Sequence, residues 1–88
     1  MFWRKSNRNM NALEVADLIE RFLNGRELHP MEWNDFTGVS QLDKAIEAYR
    51  KRCDELDPLV NRPGDMDPAA VAELASMIHE LRGLGGMK

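Results

Sequence analysis

The sequence predicts an all-α fold: a compact bundle of three amphipathic helices, with one short helix acting as a lid. Three observations predict it. Four helix start signals are spread along the chain, apolar residues between them recur at helical spacing, and glycine or proline stands where each stripe ends. An N-cap side chain accepts a hydrogen bond from an orphan amide of the first turn, and an acid three residues on can reach back. Proline at the first helical position gives up an amide that had no partner.

Asn11 followed by Glu14 opens a first helix, over about Ala12 to Asn24. Its stripe is Ala12, Val15, Ala16, Ile19, Phe22 and Leu23, with Met10 and Val15 placed as a hydrophobic staple. Gly25 supplies a left-handed residue to end it. His29 and Pro30 start the short helix, about Pro30 to Thr37, which carries Met31, Trp33 and Phe36. Leu28 and Trp33 are spaced as a second staple, and Gly38 is the stop.

Ser40, with Asp43 three residues on, caps a third helix over about Gln41 to Leu56. Its apolar face is Leu42, Ala45, Ile46, Tyr49, Cys53 and Leu56, and Pro58 ends it. Residues 57–67 form a Pro/Gly/Asp-rich connection anchored by Leu59, Val60 and Met66. Asp67 and Pro68 then start a fourth helix, about Pro68 to Arg82, which buries Val71, Leu74, Ala75, Ile78 and Leu81 before Gly83 stops it. The organisation is thus a disordered basic tail at 1–9, one helical domain at 10–84 and a frayed end at 85–88.

Composition excludes several classes. Apolar residues make up 43% and charged residues 31%, the balance of a folded soluble chain and not of a disordered one. One cysteine, Cys53, cannot build a disulfide framework and suits a reducing, cytoplasmic setting. No apolar run approaches the about 18–20 residues of a membrane span, and basic residues following Phe2 and Trp3 do not make a secretory signal. Three of the twelve basic residues, Arg4, Lys5 and Arg8, fall in the first eight positions, where there is no acid. Nine basic side chains therefore face fifteen acids in the remainder, a field that repels nucleic-acid phosphates.

No cluster specifies a chemistry. His29, Cys53 and His79 are scattered singly, whereas zinc takes four ligands in short-spaced pairs, so no metal or cofactor is expected. His79 is placed near a helix C-terminus, where the dipole favours its charged form. Cys53 lies on an apolar stripe, where a small buried thiol is the ordinary state. Glu32 and Asp35 on the short helix have the residue types of an acid dyad, but two carboxylates at i and i+3 are far more often a solvated face. Asp57, Asn61, Asp65 and Asp67 have the composition of a calcium loop, but Pro58 and Pro63 interrupt them and the terminal glutamate is missing.

The stretch Leu18-Ile19-Glu20-Arg21-Phe22-Leu23-Asn24-Gly25, followed by Glu32-Trp33-Asn34-Asp35-Phe36, resembles small bacterial helical proteins built from a helix, a glycine stop and an acidic-aromatic short helix. It is also similar to the helical immunity proteins that neutralise colicin-type toxins. The resemblance covers about residues 12–56, through core and cap chemistry. It implies a bacterial cytoplasmic origin and an acidic surface for a basic toxin, and it carries over no site residue.

These readings converge on a non-enzymatic module that binds another protein, of basic character, through acidic and partly aromatic surface. The candidate contact residues are Glu32, Trp33, Asp35, Asp54, Asp57 and Asp65; Trp33 qualifies only if part of its ring is exposed. The alternative is a peripheral membrane protein attached through Phe2, Trp3, Arg4 and Lys5, two aromatics beside basic residues suited to an anionic surface. Oligomeric state is left open by the sequence.

Overall fold

The computed structural model describes residues 9–62 and 64–86, and among them it contains four helices and no strand. They are α1 (Ala12–Leu23), α2 (Glu32–Thr37), α3 (Lys44–Val60) and α4 (Pro68–Gly86). α1 packs most extensively along α4, α4 lies against α3, α3 against α2, and α2 closes back onto α1. The all-α bundle is as the sequence predicts, with the short helix closing the gap between α1 and α3.

α1 follows its sequence signals closely. Asn11 Oδ1 accepts from the Glu14 amide at 2.8 Å while Glu14 Oε1 accepts from the Asn11 amide at 2.9 Å, a complete capping box. Gly25, with φ +67°, turns the chain out of the helix, and the Arg26 amide bonds back to the Arg21 carbonyl at 2.8 Å. Val15, Ala16, Leu18, Ile19 and Phe22 are buried, so Leu18 joins the expected stripe and Ala12 and Leu23 flank it half-buried.

The other helices depart from expectation at their ends, each for a local reason. α2 begins at Glu32, not Pro30, because the Glu32 amide closes a turn onto the His29 carbonyl at 3.1 Å. The expected Leu28–Trp33 staple does not form, since Leu28 is 75% exposed and Trp33 only 2%. α3 begins at Lys44, capped by Asp43, whose Oδ1 accepts from the Ala45 and Ile46 amides at 2.9 and 3.1 Å. Gln41 is held outside the helix: its amide donates to Glu47 Oε1 at 2.7 Å and its side chain accepts from the Met10 amide at 3.1 Å. Leu42 therefore points away from the core, 65% exposed.

Pro58 lies within the last turn of α3, which runs on to Val60 because Val60 is wholly buried and the Asn61 amide still reaches the Asp57 carbonyl at 2.8 Å. Asp67 opens α4 by accepting from the Ala70 amide at 3.0 Å. Gly83 does not stop that helix, which continues through the expected frayed positions to Gly86. Gly85 keeps the end close to α1: a Cβ there would lie 2.5 Å from Leu13 Cγ. Ala70 and Met77 take core places, while Ala75 faces solvent.

The core joins Val15, Ala16, Leu18, Ile19 and Phe22 to Trp33 and Phe36, then to Ile46, Cys53, Leu56 and Val60, and to Ala70, Leu74, Met77, Ile78 and Leu81. Trp33 stacks on Phe22 with ring centroids 4.0 Å apart and planes inclined by 12°. Phe36 is tilted to Trp33 by 54°, with ring centroids 6.4 Å apart. The short helix thus contributes the two largest wholly buried side chains among the described residues.

Candidate functional site

Three of the six candidate contact residues are engaged in bonds that hold α2 in place. Trp33 donates from Nε1 to Asp57 Oδ1 at 2.7 Å, and its amide donates to Glu27 Oε2 at 3.0 Å. Glu32 is 7% exposed and accepts from Arg21 Nη2 at 2.6 Å, from Arg21 Nε at 3.2 Å and from the Leu28 amide at 3.1 Å. Burial pushes the Glu32 carboxyl up, but the Arg21 guanidinium and the Leu28 amide outweigh it, and the net shift is downward. Trp33 and Glu32 are therefore core and pin, a correction to their expected place on the surface. Asp57 is half-buried and turned to the indole.

Asp35, Asp54 and Asp65 remain accessible. Asp35 is half-buried on α2 with Oδ2 4.0 Å from His29 Nε2, Asp54 is exposed on α3, and Asp65 is exposed in the connection, 3.3 Å from Arg62 Nη2. α3 turns one line of residues toward α2: Arg50 donates to the Thr37 carbonyl, Asp57 takes the Trp33 indole, and Asn61 Nδ2 donates to Asn34 Oδ1 at 3.2 Å. Asp54 falls on that line by helical spacing. Arg50 is already engaged, its guanidinium making two 2.8 Å bonds to Glu47. The Arg50 guanidinium and the Gln41 amide hold the Glu47 carboxyl down at about 2. What stays on the α2–α3 seam is carboxylate.

The nitrogen and sulfur side chains do not assemble. Among the described residues no group of three or more His, Cys, Asp or Glu could hold a metal ion. Cys53 is wholly buried with Sγ 3.9 Å from Met77 Sδ, and burial, with Glu73 adding, pushes its thiol up to about 12. A thiol so held is no nucleophile. His79 is exposed and lies seven residues before the end of α4, so the expected helix terminus is not beside it.

Sequence reading missed a groove of about 250 Å³ between α3 and α4, lined by Ala48, Tyr49, Arg52, Glu73, Ser76, Met77 and Glu80. Arg52 closes one end with a two-point contact to Glu73, Nη2 to Oε1 at 2.7 Å and Nε to Oε2, and also reaches Glu55 at 3.1 Å. At the other end Tyr49 donates from its hydroxyl to Glu80 Oε1 at 3.0 Å. Burial and the Glu80 carboxylate raise the phenol above its ordinary value, so it stays a donor. The spacing of Glu73 and Glu80, two turns apart on one side of α4, was the available signal. A second hollow, about 350 Å³, lies between the starts of α1 and α3, against Leu84.

Phe2, Trp3, Arg4 and Lys5 lie outside the described residues. No helix among those described is long and apolar enough to cross a membrane. A scan of protein-family profiles matches none of them, and searches of characterised proteins and of solved structures return no match.

Proposed function

We propose that this protein is a non-enzymatic binding module for another protein of basic character, working in the cytoplasm in an immunity-type or adaptor role. The observation that carries the reading is the α2–α3 seam. Asp35 and Asp54 stand there beside the half-buried Asp57, and the arginine of the seam is already taken by Glu47 and the Thr37 carbonyl. Among the described residues no lysine or arginine is hydrogen-bonded to these carboxylates, and such groups raise the encounter rate with a cationic surface and favour it over anionic competitors. Binding, not catalysis, fits the chemistry: the thiol is buried, Glu32 is paired with Arg21, and Asp57 holds an indole.

Glu32, Trp33 and Asp57 leave the list of residues to mutate, because the fold uses them. The test is a triple reversal, Asp35→Lys, Asp54→Lys and Asp65→Lys, measured as association kinetics against a co-purifying basic protein at two ionic strengths. The variant should keep its fold, associate more slowly, and approach the parent's rate at high salt. An unchanged on-rate would overturn the reading.

A further inference from the structure

We propose that the groove between α3 and α4 receives one basic side chain of a partner protein, its stem on Met77 and Ala48 and its charged head against Glu80 and the Tyr49 ring. The inference rests on the basic partner proposed above, but not on the α2–α3 seam, since this groove lies on another side of α3.

Size comes first. A space of about 250 Å³ falls below the roughly 300–1,000 Å³ of small-molecule sites, and suits a single long side chain. Ala48 and Ser76 keep the opposing walls short, and Met77 supplies a polarizable floor from the core. Such a slot fits the methylene stem of lysine or arginine, which packs on apolar surface while its head stays polar.

Charge decides the sign of the guest. Arg52 is committed to Glu73 and Glu55, so the groove offers no unengaged cation to an acidic guest. Glu80 differs from the other acids of the rim: its partner among the described residues is the neutral Tyr49 hydroxyl. That bond orients the carboxylate without neutralising it, and the Tyr49 ring beside it adds a face on which a cation can rest. Glu55, Glu73 and Glu80 outnumber Arg52 around the slot, so the local field favours a positive head group.

The experiment titrates isotope-labelled full-length protein with a tetra-arginine peptide at low salt, with a tetra-glutamate peptide as control, and follows backbone amide shifts. The largest shifts should fall on Ala48, Tyr49, Arg52, Glu73, Ser76, Met77 and Glu80, with no response to the acidic peptide. Glu80→Gln should weaken the groove response by about threefold to tenfold. Ser76→Tyr, at an exposed position, should fill the slot and silence it while leaving the fold intact. Shifts confined to Asp35, Asp54, Asp57 and Asp65 would overturn the groove and spare the basic-partner reading. Shifts of equal size with both peptides would overturn the groove, and no shift anywhere would overturn both.

Discussion

α2 and the α1–α4 seam are held by different means. Along α1 and α4 the contact is aliphatic, Val15, Ile19, Leu74, Ile78 and Leu81, and charges stand only at its rim, where Arg82 meets Asp17 and Glu20 at 3.2 and 2.8 Å. α2 is pinned from outside at every edge: Glu27 on the Trp33 amide, Glu32 on Arg21, Asp57 on the indole, Arg50 on the Thr37 carbonyl, and Asn61 on Asn34. The difference follows from length. Isolated helices shorter than about 12–15 residues are marginal in water, so six residues cannot hold a helix by themselves. The longer helices need a stripe to bury. The short one needs partners.

The sharpest way to break this comparison is to remove one large side chain from each region. Trp33→Ala should cost about 3–5 kcal/mol and Leu74→Ala about 2–5 kcal/mol, from a total of about 4–13 kcal/mol for a chain of 88 residues. Both variants should lose far-UV helix signal in a single transition at a lowered midpoint, because α2 carries core and is not an appendage. A Trp33→Ala protein that melts like the parent would show that α2 is dispensable.

Acid should separate the regions next. The folded-state carboxyls of Glu32 and Glu47 sit below their ordinary range, so each adds stability that is present above about pH 4.3 and lost as pH falls through the lowered value. For Glu47 that window runs down to about 2. Melting temperatures measured at pH 7, 4 and 1.5 should show Glu32→Gln and Glu47→Gln less stable than the parent at pH 7 and nearly equal to it at the lowest pH, which lies below the Glu47 value of about 2. Glu20→Gln, which alters an exposed pair at the α1–α4 rim, should shift the curve far less. Equal effects at all three sites would erase the contrast.

The smallest effects concern the end of α4. Gly83 has open space around its Cα and no left-handed backbone, so Gly83→Ala should stabilise by about 0.5–1 kcal/mol through helix propensity. Gly85→Ala gains the same propensity but drives a methyl into Leu13, and should end near neutral or below. Thermal melts of the two single variants decide it; equal gains would mean that Leu13 swings aside freely.

These contrasts explain how far the chain could be read in advance. Features written within one element were legible: the α1 capping box, the Gly25 turn, the stripe of α1, and the all-α class itself; on α4 Leu74, Ile78 and Leu81 were, while Ala70 and Met77 took the places expected of Val71 and Ala75. The pins of α2 were not, because Arg21 finds Glu32 eleven residues on and Trp33 finds Asp57 twenty-four residues on. Ser40 and Asp43 have the spacing of a capping box; Gln41, tied to Met10 and Glu47, moves the cap to Asp43 itself and the first helical residue to Lys44. Pro58 and Gly83 resemble stops, yet burial of Val60 and packing of Gly85 on Leu13 carry both helices past them. Of the candidate site, charge was legible and exposure was not. Asp35, Asp54 and Asp65 remain on the surface, while Glu32 and Trp33 were drawn inward by partners from other elements.

The lone thiol has a use beyond its place in the core. Cys53 is wholly buried beside Met77, and its thiol is pushed up to about 12, so the reactive thiolate is scarce as well as enclosed. A thiol-directed dye can reach it only during the moments when α3 and α4 part. With dye in large excess, labelling keeps pace with each opening, and its rate becomes the opening rate itself. With slower chemistry, the same label counts the open population instead. The chain therefore carries a native clock for its own breathing, readable by mass spectrometry without introducing any reporter.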